Sequence, residues 1–206
     1  ENIAQMNLHA LLDWPVLVKS EGLLETNFDK GLATMFQEAK HWMLFGYETP
    51  PAVQEMLGRE EKLRVAKESV HLLARDYNEI IKSLSPEELR LFRERIAFLD
   101  KKIHTGVTSL YWSSKGMIDY FVTECRKYCK EVRAIIEDFK LNVSKIHENC
   151  QILANTELVK IEAKKIYNEG HFEKTQSKHR TVVRQKLQST NGSTVAMMKH
   201  IFQYFA

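Results

Sequence analysis

The chain has 206 residues, enough for one domain or for a pair of helical bundles. Hydrophobic residues make up 44% and charged residues 28%, and with only 8 Gly and 4 Pro the composition favours long helices over a turn-rich β architecture. The net charge of +3 does not demand a nucleic-acid partner, and charges interrupt every apolar run before the about 18 residues of a membrane span. We therefore expect neither nucleic acid nor a membrane as a partner.

The three cysteines, Cys125, Cys129 and Cys150, are an odd number in a sequence without an apolar leader. This pattern argues against a secreted disulfide framework and predicts a reducing, intracellular setting. The sequence also lacks an initiator Met and ends on the apolar, periodic segment HIFQYFA, so we expect it to be part of a longer polypeptide.

The first predicted helix is the segment IAQMNLHALLDW (residues 3–14), which Pro15 interrupts because a residue before proline is pushed out of the α region. Residues 16–27 have the pattern of irregular or extended chain. Asn27 or Asp29 can then cap a helix from Lys30 to Leu44. Its predicted buried residues are Leu32, Met35, Phe36, Ala39 and Met43.

Gly46 is predicted to end this helix, and an aromatic-rich cluster surrounds the exit (His41, Trp42, Phe45 and Tyr47). We expect such a cluster at a helix corner to pack into the core. Pro50 and Pro51 then open the next helix.

The longest apolar pattern lies between residues 63 and 84, where apolar residues recur at alternating spacings of three and four (Leu63, Ala66, Val70, Leu73, Tyr77, Ile80 and Leu84). A capping box follows, with Ser85 as N-cap, Pro86 at the first helical position and Glu88 three residues on. A second stripe then continues the rhythm (Leu89, Phe92, Ile96, Leu99 and Ile103). The sequence thus predicts two helices that turn sharply and bury their stripes together.

His104, Thr105 and Gly106 are predicted to end the second helix, and a short turn around Trp112 leads to a third. The stripe of this third helix is again apolar (Ile118, Phe121, Cys125, Tyr128, Val132, Ile135, Phe139 and Ile146). Asn142 falls in the same stripe, where a polar residue either fixes register or marks the exit of the helix from the bundle. Three such stripes predict nearly aligned helices packed at about 20°.

After Asn155 the sequence predicts three shorter helices: TELVKIEAKKIYNEG ending at Gly170, a second from Phe172 to Gln188, and a terminal one that Ser193 or Thr194 caps after STNGST. We assign residues 1–155 to one helical bundle and residues 156–206 to the start of the next. Between Lys160 and Lys186, eight basic residues stand against three acidic ones. A solvated helix face explains this bias, and the other interpretation is a docking patch for an acidic partner at Lys174, Lys178, Arg180 and Arg184.

Catalytic motifs are missing from the sequence. There is neither a phosphate-binding loop, nor a G-x-G-x-x-G, nor a G-x-S-x-G. Cys125, Cys129, His147 and Cys150 are too far apart along one helix for a zinc site, since eighteen residues rise about 27 Å. We predict no catalytic residues, no cofactor and no metal, and Cys125 as a small core residue.

Four segments in register carry a family resemblance: NFDKGLATMFQEAKHWMLFGYETPP, REEKLRVAKESVHLLARDYNEII, LSPEELRLFRERIAFLDKKIHTGVTSLYWSSKG and DYFVTECRKYCKEV. With the later ILANTELVKIEAKKIYNEGHFEKTQSKHR, they make the chain similar to the N-terminal tail, or stem, of dynein heavy chains, most of all the axonemal ones. The resemblance covers nearly the whole chain.

The resemblance implies an all-α fold of long antiparallel helices in consecutive bundles of an elongated, coiled-coil-like stem. It implies a non-catalytic part of a microtubule-based ATP-driven motor, which assembles the complex and attaches it to the doublet microtubule of a cilium or flagellum. The implied partners are dynein intermediate and light chains, other heavy chains, the axonemal doublet microtubule and docking proteins. The implied location is the cytoplasm, the cytoskeleton and the ciliary axoneme.

Another class of function is compatible with the residues alone. A generic cytosolic helical adaptor, or a GTPase-regulating bundle, would also show long amphipathic helices and no phosphate loop. In the second case an exposed arginine such as Arg75 would act on a bound nucleotide.

Overall fold

The computed structural model describes residues 10–114, 116–161 and 168–205. In these residues the chain forms six α-helices and one small β-hairpin, so the predicted all-α class is confirmed. None of the helices in this part of the chain has the length and apolar character needed to cross a membrane. The chain divides into two units, residues 1–133 and 134–206. The division into bundles at residue 155 stays a prediction.

The elements follow one another as a 3-10 helix (Ala10–Leu12), β1 (Leu17–Ser20), β2 (Leu23–Thr26), α1 (Lys30–Leu44), α2 (Pro51–Ser83), α3 (Pro86–Leu91), α4 (Arg93–Thr108), α5 (Met117–Ala154) and α6 (Glu169–Phe202). Residues 3–9 of the first predicted helix lie outside the described residues. Its described end is the 3-10 helix, and Pro15 lies beyond it in an isolated bridge to Tyr111, as expected of a helix-breaking proline.

The segment predicted as irregular or extended is an antiparallel hairpin in which Leu17 pairs with Thr26 and Ser20 with Leu23. Two turn residues with positive φ, Glu21 (51°) and Gly22 (82°), connect the strands. This conformation suits the right-handed twist of a two-residue hairpin, and Gly adopts it without strain. Leu17 and Leu24 are buried, so the hairpin takes part in the core of the first unit.

Helix α1 has the predicted bounds, and Asp29 is its N-cap, accepting a 2.5 Å hydrogen bond from the backbone N–H of Gly31. Leu32, Met35, Phe36 and Ala39 are buried as predicted. Met43 is exposed, contrary to the prediction, because it lies in the last turn of α1, next to the exposed Leu44 and Phe45.

Helix α2 confirms the long stripe, since Leu63, Val70, Leu73, Tyr77 and Ile80 are all buried. The capping box at Ser85 is also confirmed: the Ser85 side chain accepts from the Glu88 N–H, and the Glu88 carboxylate accepts from the Ser85 N–H. The second predicted helix is divided at Phe92 (φ −89°, ψ 8°) into α3 and α4. The ring of Phe92 is fully buried, so the distortion accompanies the insertion of a large side chain into the core.

The predicted break at His104–Gly106 is wrong, because α4 continues to Thr108. Gly106 is buried inside the helix, and a Cβ on it would lie 2.6 Å from Cζ of Phe121. The glycine therefore allows the ring of Phe121 to pack closely against the helix, and it does not end the helix.

The buried seam of α5 follows spacings of four and three (Ile118, Val122, Cys125, Cys129, Val132, Ile136 and Phe139). This is the regular 3.5-residue repeat of a helix packed along its length. The predicted stripe shares every second member with it, whereas Phe121, Tyr128, Ile135 and Ile146 are only half-buried and flank the seam. Asn142 bonds within its own helix, donating to the carbonyl O and the carboxylate of Asp138. The alignment of the helices at about 20° stays a prediction.

Helix α6 runs without interruption through the segment STNGST, so the predicted break and the predicted caps at Ser193 or Thr194 are wrong. The Thr194 hydroxyl donates to the carbonyl O of Thr190 and accepts from Asn149, which satisfies the polar side chain inside a helix. The N-cap of α6 is instead Asn168, which accepts from the Gly170 N–H. Gly170 thus lies in the first turn of α6 and not at the end of a preceding helix.

The predicted helix TELVKIEAKKIYNEG is non-helical from Thr156 to Ile161, and residues 162–167 lie outside the described residues. The carbonyl O of Lys160 accepts from Gln176 Nε2 at 2.6 Å, and that of Glu157 lies 3.0 Å from His179 Nε2. These side chains of α6 hydrogen-bond the non-helical segment, replacing bonds that a helix would form internally.

Candidate interaction surfaces

The segment RDYN of α2 (residues 75–78) fixes α2 to three neighbouring elements. Asp76 is buried and accepts from the guanidinium of Arg126 on α5 at 2.8 Å. The Tyr77 hydroxyl donates to Asp100 on α4 at 2.7 Å. The Asn78 side chain accepts from the N–H of Leu24 and donates to its C=O, both at 2.8 Å. A single turn of helix thus holds the hairpin, α4 and α5.

Lys19 extends this cluster from the hairpin, because its ammonium lies 2.7 Å from the Asp100 carboxylate. Burial opposes its charge, but the hydrogen bonds with Asp100 and Tyr77 outweigh that effect and raise the pKa of Lys19. Burial also raises the pKa of Tyr77. The cluster consists of groups that pair with one another inside the protein, which is the arrangement of a structural junction.

The turn after α4 fixes the N-terminal segment in the same way. The indole N–H of Trp112 donates to the carbonyl O of Asn27 at 2.5 Å, and the ring packs edge-on against Phe28 with centroids 5.0 Å apart. Val16 N donates to Leu110 O at 2.9 Å. Trp112 is buried, so the turn predicted from its sequence is part of the core.

In residues 134–206 a smaller cluster joins the second half of α5 to the end of α6. The Asp138 carboxylate accepts from the hydroxyl of Tyr204 and lies 2.9 Å from Nε2 of His200. These two hydrogen bonds hold the pKa of Asp138 below its ordinary value, and the one from Tyr204 has the larger effect. Next to them the rings of Phe139 and Phe205 meet edge to face at 6.1 Å.

Metal-binding or nucleophilic chemistry has little support in this arrangement. No group of three His, Cys, Asp or Glu side chains within the described residues could hold a metal ion. Cys125 is buried, as predicted for a core residue, and burial raises the pKa of its thiol to about 11. Burial likewise raises the pKa of Cys129 to about 12, which keeps both thiols protonated at neutral pH.

The corner between α1 and α2 exposes a group of large apolar side chains, contrary to the prediction that its aromatic cluster packs into the core. Leu44 is 80%, Phe45 78% and Tyr47 68% exposed. Trp42 and Met43 adjoin them and are also exposed. We name these five residues the apolar corner.

Backbone hydrogen bonds hold the apolar corner in place. The N–H of Tyr47 donates to the carbonyl O of Trp42 at 3.0 Å, and that of Gly46 to Met43 at 3.1 Å. Gly46 has φ +78°, the left-handed conformation in which helices commonly end. Contiguous exposed apolar side chains on an ordered corner are typical of protein–protein contact sites. The sequence contains these residues but does not show that they are exposed, because exposure depends on what packs against the corner.

The basic residues predicted as a docking patch all lie exposed on α6. Lys174 and Lys178 are one turn apart, and so are Arg180 and Arg184. At 3.6 residues per turn the two pairs point about 120° apart, on different sides of the helix. The structure therefore brings them together as two pairs, not as one patch. Lys164 and Lys165, from the same basic stretch, lie outside the described residues.

Arg75, the candidate residue of a GTPase-regulating bundle, is exposed on α2 and forms an ion pair with Glu79 at 3.7 Å.

Comparisons with known proteins place these features in context. A sequence-family model described as dynein heavy chain, N-terminal region 1, matches residues 1–120. Human dynein axonemal heavy chain 2 is 41% identical over 197 residues, which are 94% of this chain and 4% of that protein. The Chlamydomonas reinhardtii dynein-1-beta heavy chain of the flagellar inner arm I1 complex is 33% identical over 187 residues, 90% of this chain and 4% of that protein. The dynein-1-alpha heavy chain of the same complex is 24% identical over 136 residues, 66% of this chain and 3% of that protein.

Proposed function

The chain belongs to the dynein heavy chain family as part of its N-terminal region, and from this premise we propose that it is a scaffold segment in the tail of an axonemal dynein. It helps to assemble the motor complex and to attach that complex to the doublet microtubule. The matched region is non-catalytic, and the ATPase motor lies elsewhere in a full-length heavy chain. Family membership favours this interpretation over a generic adaptor or a GTPase-regulating bundle.

The proposed partners are other dynein heavy chains, dynein intermediate and light chains, and docking proteins on the doublet microtubule of a cilium or flagellum. Two of the similar proteins are named as alpha and beta heavy chains of one I1 complex. Those names support the proposal of an assembly with a second heavy chain. The chain spans about 4% of the length of its similar heavy chains, so it would supply a small part of the contacts.

The observation that carries the proposal is the apolar corner, whose large side chains are exposed. Leu44, Phe45 and Tyr47 expose apolar surface that would be stabilised by burial, at about 25 cal/mol per Å². Backbone hydrogen bonds hold the corner in one conformation, so binding would cost little ordering entropy. We propose the tail of a second heavy chain as its occupant.

The basic pairs of α6 are a second, weaker contact in this proposal. Because the pair Lys174 and Lys178 points about 120° away from the pair Arg180 and Arg184, a flat acidic partner surface would engage one pair and leave the other in solvent. Charge reversal of each pair in turn would distinguish them: only one of the two double variants should weaken association. Equal effects of both would contradict a single partner surface.

The experiment for the apolar corner uses the full-length heavy chain expressed in ciliated cells that lack it. We expect Leu44→Gln/Phe45→Gln to lower the amount of the second heavy chain that copurifies by about tenfold, the effect of losing two central apolar contacts. The ATPase activity of the purified motor should stay unchanged.

A matched control is Leu91→Gln/Val65→Gln, which replaces two exposed apolar residues elsewhere in the first unit. This control should assemble normally. Normal assembly of the corner variant, or equal loss in the control, would contradict the assignment of the corner.

A further inference from the structure

A basic groove lies between the hairpin and α2, away from the apolar corner. It has a volume of about 540 Å³, and its basic lining residues are Lys30, Lys67, His71, Arg75 and Lys82. The last four lie on one face of α2, since positions 67, 71, 75 and 82 fall within about 80° of helix rotation. Lys30 faces them from the start of α1. We name these five residues the basic groove.

The three lysines of the basic groove, Lys30, Lys67 and Lys82, are not neutralised by ion pairs among the described residues. Of the two carboxylates in the lining, Glu79 is held by Arg133 at 2.7 Å and by Arg75 at 3.7 Å. Only Glu25 remains to oppose the positive charge. The groove therefore carries a local positive potential that the small net charge of the chain conceals.

From these observations we propose that the basic groove binds an extended acidic peptide segment of a partner protein. Successive turns of α2 place Lys67, His71 and Arg75 about 6 Å apart along the helix axis. In an extended peptide the side chains on one face repeat at about 6.6 Å. Carboxylates at alternate positions of such a peptide can thus meet successive basic side chains of the helix. The distance from Lys67 to Lys82, about 22 Å, corresponds to about seven extended residues.

The lining favours a peptide over single-stranded nucleic acid. Proteins bind single strands by combining cations with exposed aromatic faces on which bases stack. The aromatic residue of this lining is Phe28, and Lys67 lies over its ring at 4.7 Å from the centroid. That face is already occupied by a cation–π contact.

The test is a titration of the 206-residue chain into a fluorescein-labelled heptapeptide with Glu at alternate positions and Thr between them, followed by anisotropy at low salt. We expect saturable binding that weakens as salt is added. Lys67→Gln/Lys82→Gln should weaken it by about tenfold, as expected for the loss of two solvent-accessible charge contacts. Because Lys67 also contacts Phe28, Lys30→Gln/Lys82→Gln serves as a second variant that leaves this contact intact.

The matched control is Lys101→Gln/Lys130→Gln, which removes the same charge from exposed positions on α4 and α5. It should bind the peptide with less than a twofold change. Three results would overturn the proposal: equal loss in this control, equal binding of a peptide with Gln in place of Glu, or tighter binding of a twelve-nucleotide oligothymidylate. None of them bears on the apolar corner, which is tested by copurification of a heavy chain.

Discussion

At the scale of single residues, the segment RDYN shows how one helical turn organises the first unit. Asp76, Tyr77 and Asn78 each bond to a different neighbour: α5, α4 and the hairpin. A helix presents successive side chains about 100° apart, so adjacent residues reach different directions. Three polar residues in a row on α2 are therefore a means of joining three elements, and the family motif that contains them has a structural explanation.

Replacing Gly106 with alanine should have two opposing effects on the free energy of unfolding. Gly106→Ala gains helix propensity of up to about 1 kcal/mol, but its Cβ would lie 2.6 Å from the Phe121 ring and 3.0 Å from Leu17. Overpacking of a filled core costs about 1–3 kcal/mol, so we expect a net loss of stability of about 1 kcal/mol. Urea denaturation followed by circular dichroism measures it.

The control for Gly106 is Gly58→Ala in α2, where no atom lies within 4 Å of the added Cβ. This variant should be more stable than the parent by about 0.5–1 kcal/mol. Stabilisation of both variants alike would mean that Phe121 does not pack against Gly106.

At the scale of elements, the sequence predicted most helices and the corner at Ser85, because stripes and caps are local signals. It did not predict the hairpin, whose two strands have only four residues each and are joined by Glu21 and Gly22. It placed false breaks at Gly106 and at STNGST, because a glycine in a sequence does not reveal whether it ends a helix or makes room for a neighbour. The apolar corner was misjudged for a related reason: burial of Phe45 and Tyr47 depends on surrounding chain that local patterns do not describe.

A substitution in α6 can test the predicted helix break at STNGST directly. Because α6 continues through the segment STNGST, Gly192 occupies a helix interior with open space around it. Gly192→Ala should then raise helix content and stabilise the chain by about 0.5–1 kcal/mol. Circular dichroism at 222 nm with thermal melting tests this, and an unchanged or less stable variant would indicate a turn at this position.

The contact between α5 and the end of α6 should depend on pH. The pKa of Asp138 is lower in the folded chain than its ordinary value of about 3.9. A carboxylate with a depressed pKa contributes stability above the unfolded value, and that contribution disappears as the pH falls through the folded value. We therefore expect Asp138→Asn to lower the melting temperature at pH 6 and to lower it by less near pH 3.

The control for Asp138 is Glu137→Gln on the adjacent exposed position of α5. Its melting temperature should differ little from the parent at either pH. A difference between Asp138→Asn and the parent that persists unchanged at pH 3 would show that the carboxylate charge does not stabilise this contact.

At the scale of the whole molecule, the reactivity of the three thiols, all on α5, reports whether the chain is folded. Cys125 and Cys129 are buried with their pKa values raised to about 11 and about 12, whereas Cys150 is exposed. Since the thiolate is the reactive form, one thiol per chain should react rapidly with a disulfide reagent at pH 7.5, and three after denaturation. Rapid reaction of two or three thiols in the native chain would mean that the seam of α5 opens readily.

The surfaces of the molecule differ in how far the sequence could reveal them. The basic bias of α6 was visible because its residues are close in sequence, yet the helix separates Lys174 and Lys178 from Arg180 and Arg184. The basic groove was invisible because Lys30 joins Lys67, His71 and Lys82 only after α1 and α2 have folded together. Surfaces made from distant segments require the tertiary structure, whereas a helix face can be read from periodicity.

The amide of Asn78 has a further consequence for how the chain behaves among its own copies. A two-stranded hairpin normally presents main-chain N–H and C=O groups that invite another strand, and such open edges promote aggregation. Here a single side chain occupies both groups of Leu24, as the backbone of a third strand would. Asn78 thereby shields β2 against edge-to-edge pairing, and the hairpin can exist in a predominantly helical protein without recruiting strands from neighbouring molecules.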